Sequence, residues 1–307
     1  MLHHALSRLH ELPALRSLSI RFGDISPQIT ELDLIRDDLS AILDALVFLG
    51  TSLPRSLESL SITRLPPFHL PQYDLPAFCA LRENLSLFEI HCASTDAWSG
   101  LDIGPLPPGL ISPCEPFFSH TLPLRILPPP SAATGLENLE ALSLCFSEPI
   151  GVFYLRYSFA ELYFPRLRAL RLQHVQFSVA RDAERFITQH SATLLELQLA
   201  HCQIAVEQNS DEPGDDGPFD WPVVPRPWSD IFAEFTKKLV RLVFLDVHDP
   251  WWLSFPERYV TYSTGEVMQF LEEGREDDTR ELTEFRQIVE DRAERLGTEY
   301  ERECFFV

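Results

Sequence analysis

Apolar residues recur along this chain in a short phrase, spaced three and then two apart, with small or polar residues between them. Leu194, Leu197 and Leu199 set the pattern, and Cys202 and Ile204 extend it. The same spacing returns at Leu15/Leu18/Ile20, Leu57/Leu60/Ile62, Leu85/Phe88/Ile90, Leu139/Leu142/Leu144, Leu167/Leu170/Leu172 and Leu242/Leu245/Val247. Alternation at the end of each phrase predicts a short strand with its apolar residues in a core and the intervening residues on the opposite face. The phrases begin at 15, 57, 85, 139, 167, 194 and 242, so their separations are 42, 28, 54, 28, 27 and 48. Three separations of 27–28 define a period. The longer ones read as one period plus an insertion, or as two periods with a degenerate unit between them.

Between the strands the apolar spacing changes to three and four. Residues 34–49 carry Ile35, Leu39, Ile42, Leu43, Leu46 and Leu49, which predicts an amphipathic helix. Ser178 is placed to N-cap a shorter helix bearing Phe186 and Ile187, and Ser229 to open one bearing Ile231, Phe232 and Phe235. From Asp278 to Arg302 a stripe of Leu282, Phe285, Ile288, Val289 and Leu296 predicts a terminal helix. There Asp278 and Glu281 have capping-box spacing, and Asp291 and Arg295 stand at i and i+4. Two stretches interrupt the pattern. Residues 94–135 are proline-rich, with Leu122, Leu124 and Ile126 alternating as one degenerate strand; residues 206–228 form an acidic loop.

The segment from Leu194 to Ile204 fits the leucine-rich-repeat template L-x-x-L-x-L-x-x-(N/C)-x-L at every specified position, with Cys202 at the asparagine-or-cysteine site. Strand–helix alternation at this period predicts an α/β fold, a leucine-rich-repeat solenoid curved into a right-handed horseshoe or arc. The expected organisation is a solenoid over 1–250 and a C-terminal cap with an acidic helical tail over 251–307. Little sequence precedes the first phrase. Either residues 1–14 cap that end as one helix, or the chain is a fragment of something longer.

Charge narrows the functions available. A net charge of −21 argues against nucleic acid and anionic membrane, both of which demand a positive surface. Lys237 and Lys238 are the only lysines among 25 Lys and Arg residues, which reads as codon bias or as avoidance of ubiquitin acceptors. The six cysteines lie far apart with no C-x-x-C pair, and the first residues lack a basic, then continuously apolar leader. Reduced thiols in the cytoplasm or nucleus are the expectation.

A solenoid of this kind meets its ligand on the concave face, at the non-leucine strand positions. The candidate partner-binding residues there are Arg21, Glu89, His91, Arg171, Gln173, Glu196, Gln198, Asp246 and His248. They suit a polar protein or peptide. Trp251 and Trp252, just past the last phrase, either anchor a partner or plug the open end of the stack. His174 and His201 occupy the same template position in successive repeats and should lie about one strand spacing apart. No third ligand with zinc-like spacing accompanies them, so no metal is expected. Phosphate-cradling glycine loops, G-x-S-x-G and H-E-x-x-H are absent from the sequence, so neither a cofactor nor an enzyme is expected.

The spacing resembles the ribonuclease-inhibitor-like, cysteine-containing class of leucine-rich repeats. Within that class, Leu12-Pro13-Ala14-Leu15-Arg16-Ser17-Leu18 and Phe164-Pro165-Arg166-Leu167-Arg168-Ala169-Leu170 resemble phrases of the F-box and leucine-rich-repeat proteins of filamentous fungi. The resemblance implies a substrate-recognition arm of a ubiquitin ligase, whose F-box would bind a Skp-type adaptor while the repeats hold the substrate. Residues 1–14 do not match the F-box pattern L-P-x-E-I-x-x-x-I. Ligase components are therefore expected as partners only if an F-box lies upstream, and the alternative is a stand-alone repeat scaffold unrelated to ubiquitin.

Overall fold

The computed structural model describes residues 12, 14–23, 32–52, 57–93, 114–127, 136–150, 157–178, 183–207, 226–248, 259–263, 266–270 and 275–296. Trp251 and Trp252, most of the proline-rich stretch and most of the acidic loop lie outside them.

Each apolar phrase becomes a strand: β1 (Ser17–Arg21), β2 (Ser59–Leu65), β3 (Leu87–Cys92), β4 (Ala141–Ile150), β5 (Ala169–Phe177), β6 (Glu196–Ala200) and β8 (Phe244–His248), with β7 (Gln203–Glu207) following β6. All of these pair in parallel. The registers superpose the phrases, so Leu18, Leu60, Phe88, Leu142, Leu170, Leu197 and Leu245 form one transverse row. Ile20, Ile62, Ile90, Leu144, Leu172, Leu199 and Val247 form the next. In the middle strands these rows are sealed: Leu60, Leu142, Leu170 and Leu197 are 0% exposed. Each such side chain contributes about 1.5–3 kcal/mol by leaving water.

β9 (Tyr259–Ser263) joins β7 in parallel, and β10 (Glu266–Phe270) returns antiparallel to β9. Among the described residues the result is a mixed α/β fold on a mostly parallel ten-stranded sheet that does not close into a barrel. The sheet forks at β5. Its first five residues pair with β6 and through it β8, while Gln176 and Phe177 pair with β7 and so lead to β9. His174 and His201 lie at the fork with φ of 56° and 53°. These are left-handed backbones, and they turn the chain between the two branches.

The crossovers are less regular than a strict strand–helix alternation. Helix α1 (Leu32–Ser52) buries Leu39, Ile42, Leu43 and Leu46 as its periodicity requires, and packs on α2 (Pro76–Arg82). A 3-10 turn, Pro71–Asp74, is tied to α1 where Gln72 Nε2 donates to Ser40 Oγ at 2.7 Å and Asp44 Oδ1 at 3.0 Å. The expected degenerate strand at Leu122, Leu124 and Ile126 is instead a π-helix, Phe117–Ile126. Leu122 and Ile126, four apart, are buried while Leu124 is 41% exposed, so the residues follow a helical face and do not alternate. Pro123, which has no N–H to donate, sits inside this wide-turned helix.

Helix α3 (Ala183–Gln189) buries Phe186 and Ile187, and residues 179–182, between it and Ser178, lie outside the described residues. The buried hydroxyl of Ser178 finds no hydrogen-bond partner among the described residues. Helix α4 (Trp228–Lys238) is N-capped by Pro227, not Ser229. The cap bond comes from a distant element. Helix α5 (Arg275–Arg295) presents Asp278, 0% exposed, whose Oδ1 accepts the Ser229 N–H at 2.8 Å. Its Oδ2 accepts the Tyr259 hydroxyl at 2.7 Å, and Tyr259 Oη in turn accepts the Trp228 N–H at 2.8 Å. Asp278 thus lies inside its own helix and does not begin a capping box; it satisfies the orphan donors of α4.

Leu282, Phe285 and Val289 bury α5 against α4 and β8, with Arg286 Nη2 donating to the Val247 carbonyl at 2.8 Å and Arg292 Nη1 to that of Leu239 at 2.7 Å. Leu296 is 65% exposed, so the buried apolar stripe stops at Val289, about two turns short of it. The Asp291 carboxylate accepts from Gln287 Nε2, leaving Arg295 Nε to bond the Asp291 backbone carbonyl. No helix among the described residues is long and apolar enough to cross a membrane.

Candidate functional site

The face opposite the leucine rows carries three transverse rows of its own, set by the same registers. The first runs Ser17, Ser59, Leu87, Ala141, Ala169, Glu196, Phe244. The second runs Ser19, Ser61, Glu89, Ser143, Arg171, Gln198, Asp246, and the third Arg21, Thr63, His91, Cys145, Gln173, Ala200, His248. Neighbours within a row stand about 4.8 Å apart. The candidates Glu89, His91, Arg171, Gln173, Gln198 and Asp246 are thereby gathered and half-buried, while Arg21 and His248 are exposed at opposite ends of the strand series.

Glu196 departs from expectation. It is 4% exposed, registered between Ala169 and Phe244 in the row where Leu87, Ala141 and Ala169 form a small apolar cluster. It belongs to the fold's interior and is unsuited to first contact with a partner. Ser143 and Cys145, read from the sequence as outward strand positions, are likewise buried, and their side chains approach to 3.5 Å. Small residues in the middle strands are shaded by larger neighbours on both sides. The strand period records a side chain's direction but not the height of its neighbours.

Electrostatics distinguishes the two ends of the strands. Burial pushes the His91 imidazole below its ordinary value, and Arg64, Arg171 and His174 push it further the same way. Burial raises the Cys145 thiol; Ser143 and Arg171 oppose that shift and Glu89 adds to it. A thiol held protonated in this way is a poor nucleophile. His91 Nε2 lies 3.5 Å from Ser147 Oγ, which donates to the Cys92 carbonyl at 2.9 Å. At the exposed end of the third row, His248 Nε2 meets Asp246 Oδ2 at 2.9 Å.

His174 and His201 stack with ring centroids 4.9 Å apart and planes at 21°. His174 Nδ1 lies 2.5 Å from the Phe146 carbonyl, so that nitrogen carries the proton. Among the described residues no group of three or more His, Cys, Asp and Glu side chains is arranged to hold a metal ion. Cys202 points inward, its thiol 3.6 Å from the carbonyls of Leu172 and Ala200, and so joins adjacent strands as a structural donor. One small cavity of about 40 Å³, between Phe177, Ile204, Ala205 and Ile231, is flanked by the paired Arg226 and Glu184 and has room for water.

Two features of this site escaped the sequence reading. The first is Arg64, with φ of 61°, at the same template position as His174 and His201, one residue before the asparagine-or-cysteine site. That positional identity was available once the phrases were aligned. The second is His190, which is 1% exposed beneath the candidate residues' own repeats. Its Nε2 accepts the Phe164 N–H at 2.9 Å and its Nδ1 donates to the Phe186 carbonyl at 2.7 Å, an arrangement no local pattern encodes.

The fold and site therefore define a mixed α/β protein with a polar face on a mostly parallel sheet. No family model matches the chain, and no curated protein matches it.

Proposed function

We propose that the chain is a leucine-rich-repeat solenoid that binds another protein through the face bearing Arg171, Gln173 and Gln198. What supports this reading most is the in-register polar rows. Arg171, Gln173 and Gln198 come from adjacent strands, are half-buried, and make no side-chain hydrogen bond or ion pair among the described residues. Side chains held by a rigid sheet with unspent donors and acceptors lose little entropy on binding, which favours a preorganised interface. The narrower version, a substrate-recognition arm working with a ubiquitin-ligase adaptor, rests on the resemblance alone.

A photo-crosslinking residue placed at Gln198 tests the face, with the same residue at Glu290, exposed on α5, as the control. A discrete partner captured from Gln198, not from Glu290, and lost in Arg171→Glu is the expected result. Arg171→Glu should leave the chain folded by circular dichroism, since Arg171 makes no side-chain hydrogen bond or ion pair among the described residues. Equal capture from both positions, or capture that survives Arg171→Glu, overturns the assignment. The ubiquitin version additionally requires a Skp-type adaptor to co-purify with the native full-length protein.

A further inference from the structure

Along the parallel strands, the seventh and eighth positions of the repeat template lie toward the C-terminal rim of the sheet, with β4 and β5 running on past them to Ile150 and Phe177. Among the described residues these positions include Arg21, Arg64, His91, His174, His201 and His248; Thr63 is registered on His91, and His91 on Gln173 across Cys145, so Arg64 and His174 each stand one residue along from the row of His91. Arg171, from the row next to this rim, joins Arg64 and His174 in bearing on His91.

We propose that Arg64, His91, Arg171 and His174 form the seat for a carboxylate-bearing, acidic peptide segment of the partner protein; this rests on the reading of the polar face as the binding face. Positive groups that bear on the partly desolvated His91 imidazole are an unfavourable arrangement, and an anion offsets it. The guanidinium of Arg171 offers the planar fork that matches a carboxylate, and it has no ion pair among the described residues. Ser143 and Cys145, small and buried between Glu89 or His91 on one side and Arg171 or Gln173 on the other, make the floor on which an extended segment could lie. Glu89 selects the anion. It stands two strands from Arg171 in the same row, where it opposes a phosphate of nearly two charges more strongly than a single carboxylate.

The seat also couples binding to protonation. His91 faces Arg64 of β2, Cys145 and Ser147 of β4, Arg171 and His174 of β5, and shares its own strand with Glu89. An incoming carboxylate offsets the positive neighbours that hold its imidazole down, so a proton is taken up as the peptide binds.

The probe is hexaglutamate, measured by isothermal titration on the whole chain at low salt and pH 6.5, in two buffers of different ionisation enthalpy. Saturable binding with proton uptake is expected. Arg64→Asn and Arg171→Gln should each weaken it about tenfold, and His91→Gln should abolish the uptake. Asparagine is chosen at residue 64 because it tolerates the left-handed backbone there. No saturable binding to the parent chain, or binding by either arginine variant as tight as the parent's, overturns the proposal. So does a hexaphosphoserine peptide that binds more tightly, since the seat would then suit phosphate. If an arginine variant unfolds early, the His91 resonances of the parent chain decide the matter: they must move on adding hexaglutamate. Hexaglutamate binding without any crosslinked partner at Gln198 would refute the protein-binding reading alone; the reverse outcome would refute only the acidic seat.

Discussion

His190 makes the stability of this chain depend on pH in a way that can be calculated from its surroundings. The ring is 1% exposed and lies against Tyr163, Phe164 and Phe186, with ring centroids 5.2, 6.2 and 5.0 Å away. Nε2 is already occupied as an acceptor of the Phe164 N–H, so a second proton has no place without breaking that bond. Burial pushes the group down to about 4, against an ordinary value of 6.5, with the Phe186 carbonyl opposing weakly. Below pH 6.5 the unfolded chain takes up a proton that the folded chain refuses until about pH 4. Stability from this group is therefore whole above pH 6.5 and is lost as pH falls toward 4. The loss approaches ~1.4 kcal/mol per pH unit and sums to about 3 kcal/mol.

Carboxylates throughout the chain also titrate in acid, so the measurement must be a difference. His190→Gln keeps a donor and an acceptor but cannot titrate. It will cost stability through lost ring packing, by an amount that does not change with pH. Urea unfolding followed by fluorescence, from pH 7.5 down to 5, yields the free energy of each protein at each pH. The parent should lose about 1–2 kcal/mol relative to the variant over that span, with the separation opening below pH 6.5. Parallel curves would refute the reasoning, for they would mean that the folded imidazole accepts its proton as readily as the unfolded one.

Three further outcomes follow from particular contacts. Leu197→Ala, at a position 0% exposed in the middle of the leucine rows, should cost about 2–5 kcal/mol in the same unfolding assay, and a negligible loss would contradict its inward direction. Asp278→Ala removes the acceptor shared by Ser229 and Tyr259 and should cost about 3 kcal/mol, with amide exchange rising at the start of α4; exchange rising only within α5 would show that the cap between helices carries no weight. Arg82 is 1% exposed, donates from Nη1 to the Ile126 carbonyl at 2.9 Å, and leaves Nε without a partner among the described residues. Arg82→Met should fall within about 1.5 kcal/mol of the parent, since an apolar side chain of similar reach avoids desolvating a charge; a loss above 3 kcal/mol would mean the guanidinium is better satisfied than its contacts suggest.

Strand positions were legible because a period of two assigns a side chain to one face whatever lies beside it. Leu60, Leu142, Leu170 and Leu197 all fell on the buried side, and the registers place them in one row. The fork at β5 was not legible, because the backbone turns at His174 and His201 through a conformation that histidine adopts only sometimes. Leu122, Leu124 and Ile126 misled for another reason: three alternating apolar residues are too few to separate a strand from one helical turn, and Pro123 argued against a helix. Glu196 and Asp278 share a third cause. Local spacing assigns Asp278 to its own helix and Glu196 to the outer face, and only the tertiary neighbours reveal that Asp278 serves another helix's N-terminus and that Glu196 lies buried between Ala169 and Phe244. Of the candidate site, the rows were readable and the exposure within them was not.

The left-handed positions bear on function as well as fold. Where φ is positive, glycine meets no steric penalty and asparagine little, so the backbone at 64, 174 and 201 would be served at least as well by either. Arginine and two histidines stand there instead. What these side chains add is therefore something the turn does not require. At His174 it is visible: one nitrogen is fixed on the Phe146 carbonyl and the ring is stacked on His201, which locks its plane and leaves the second nitrogen's direction set by the fold. A ring fixed in this way loses little freedom if a ligand comes to rest against it. The sheet forks at His174 and His201, which stack on each other, and His174 is one of the four residues of the proposed acidic seat, so the seat borders the fork.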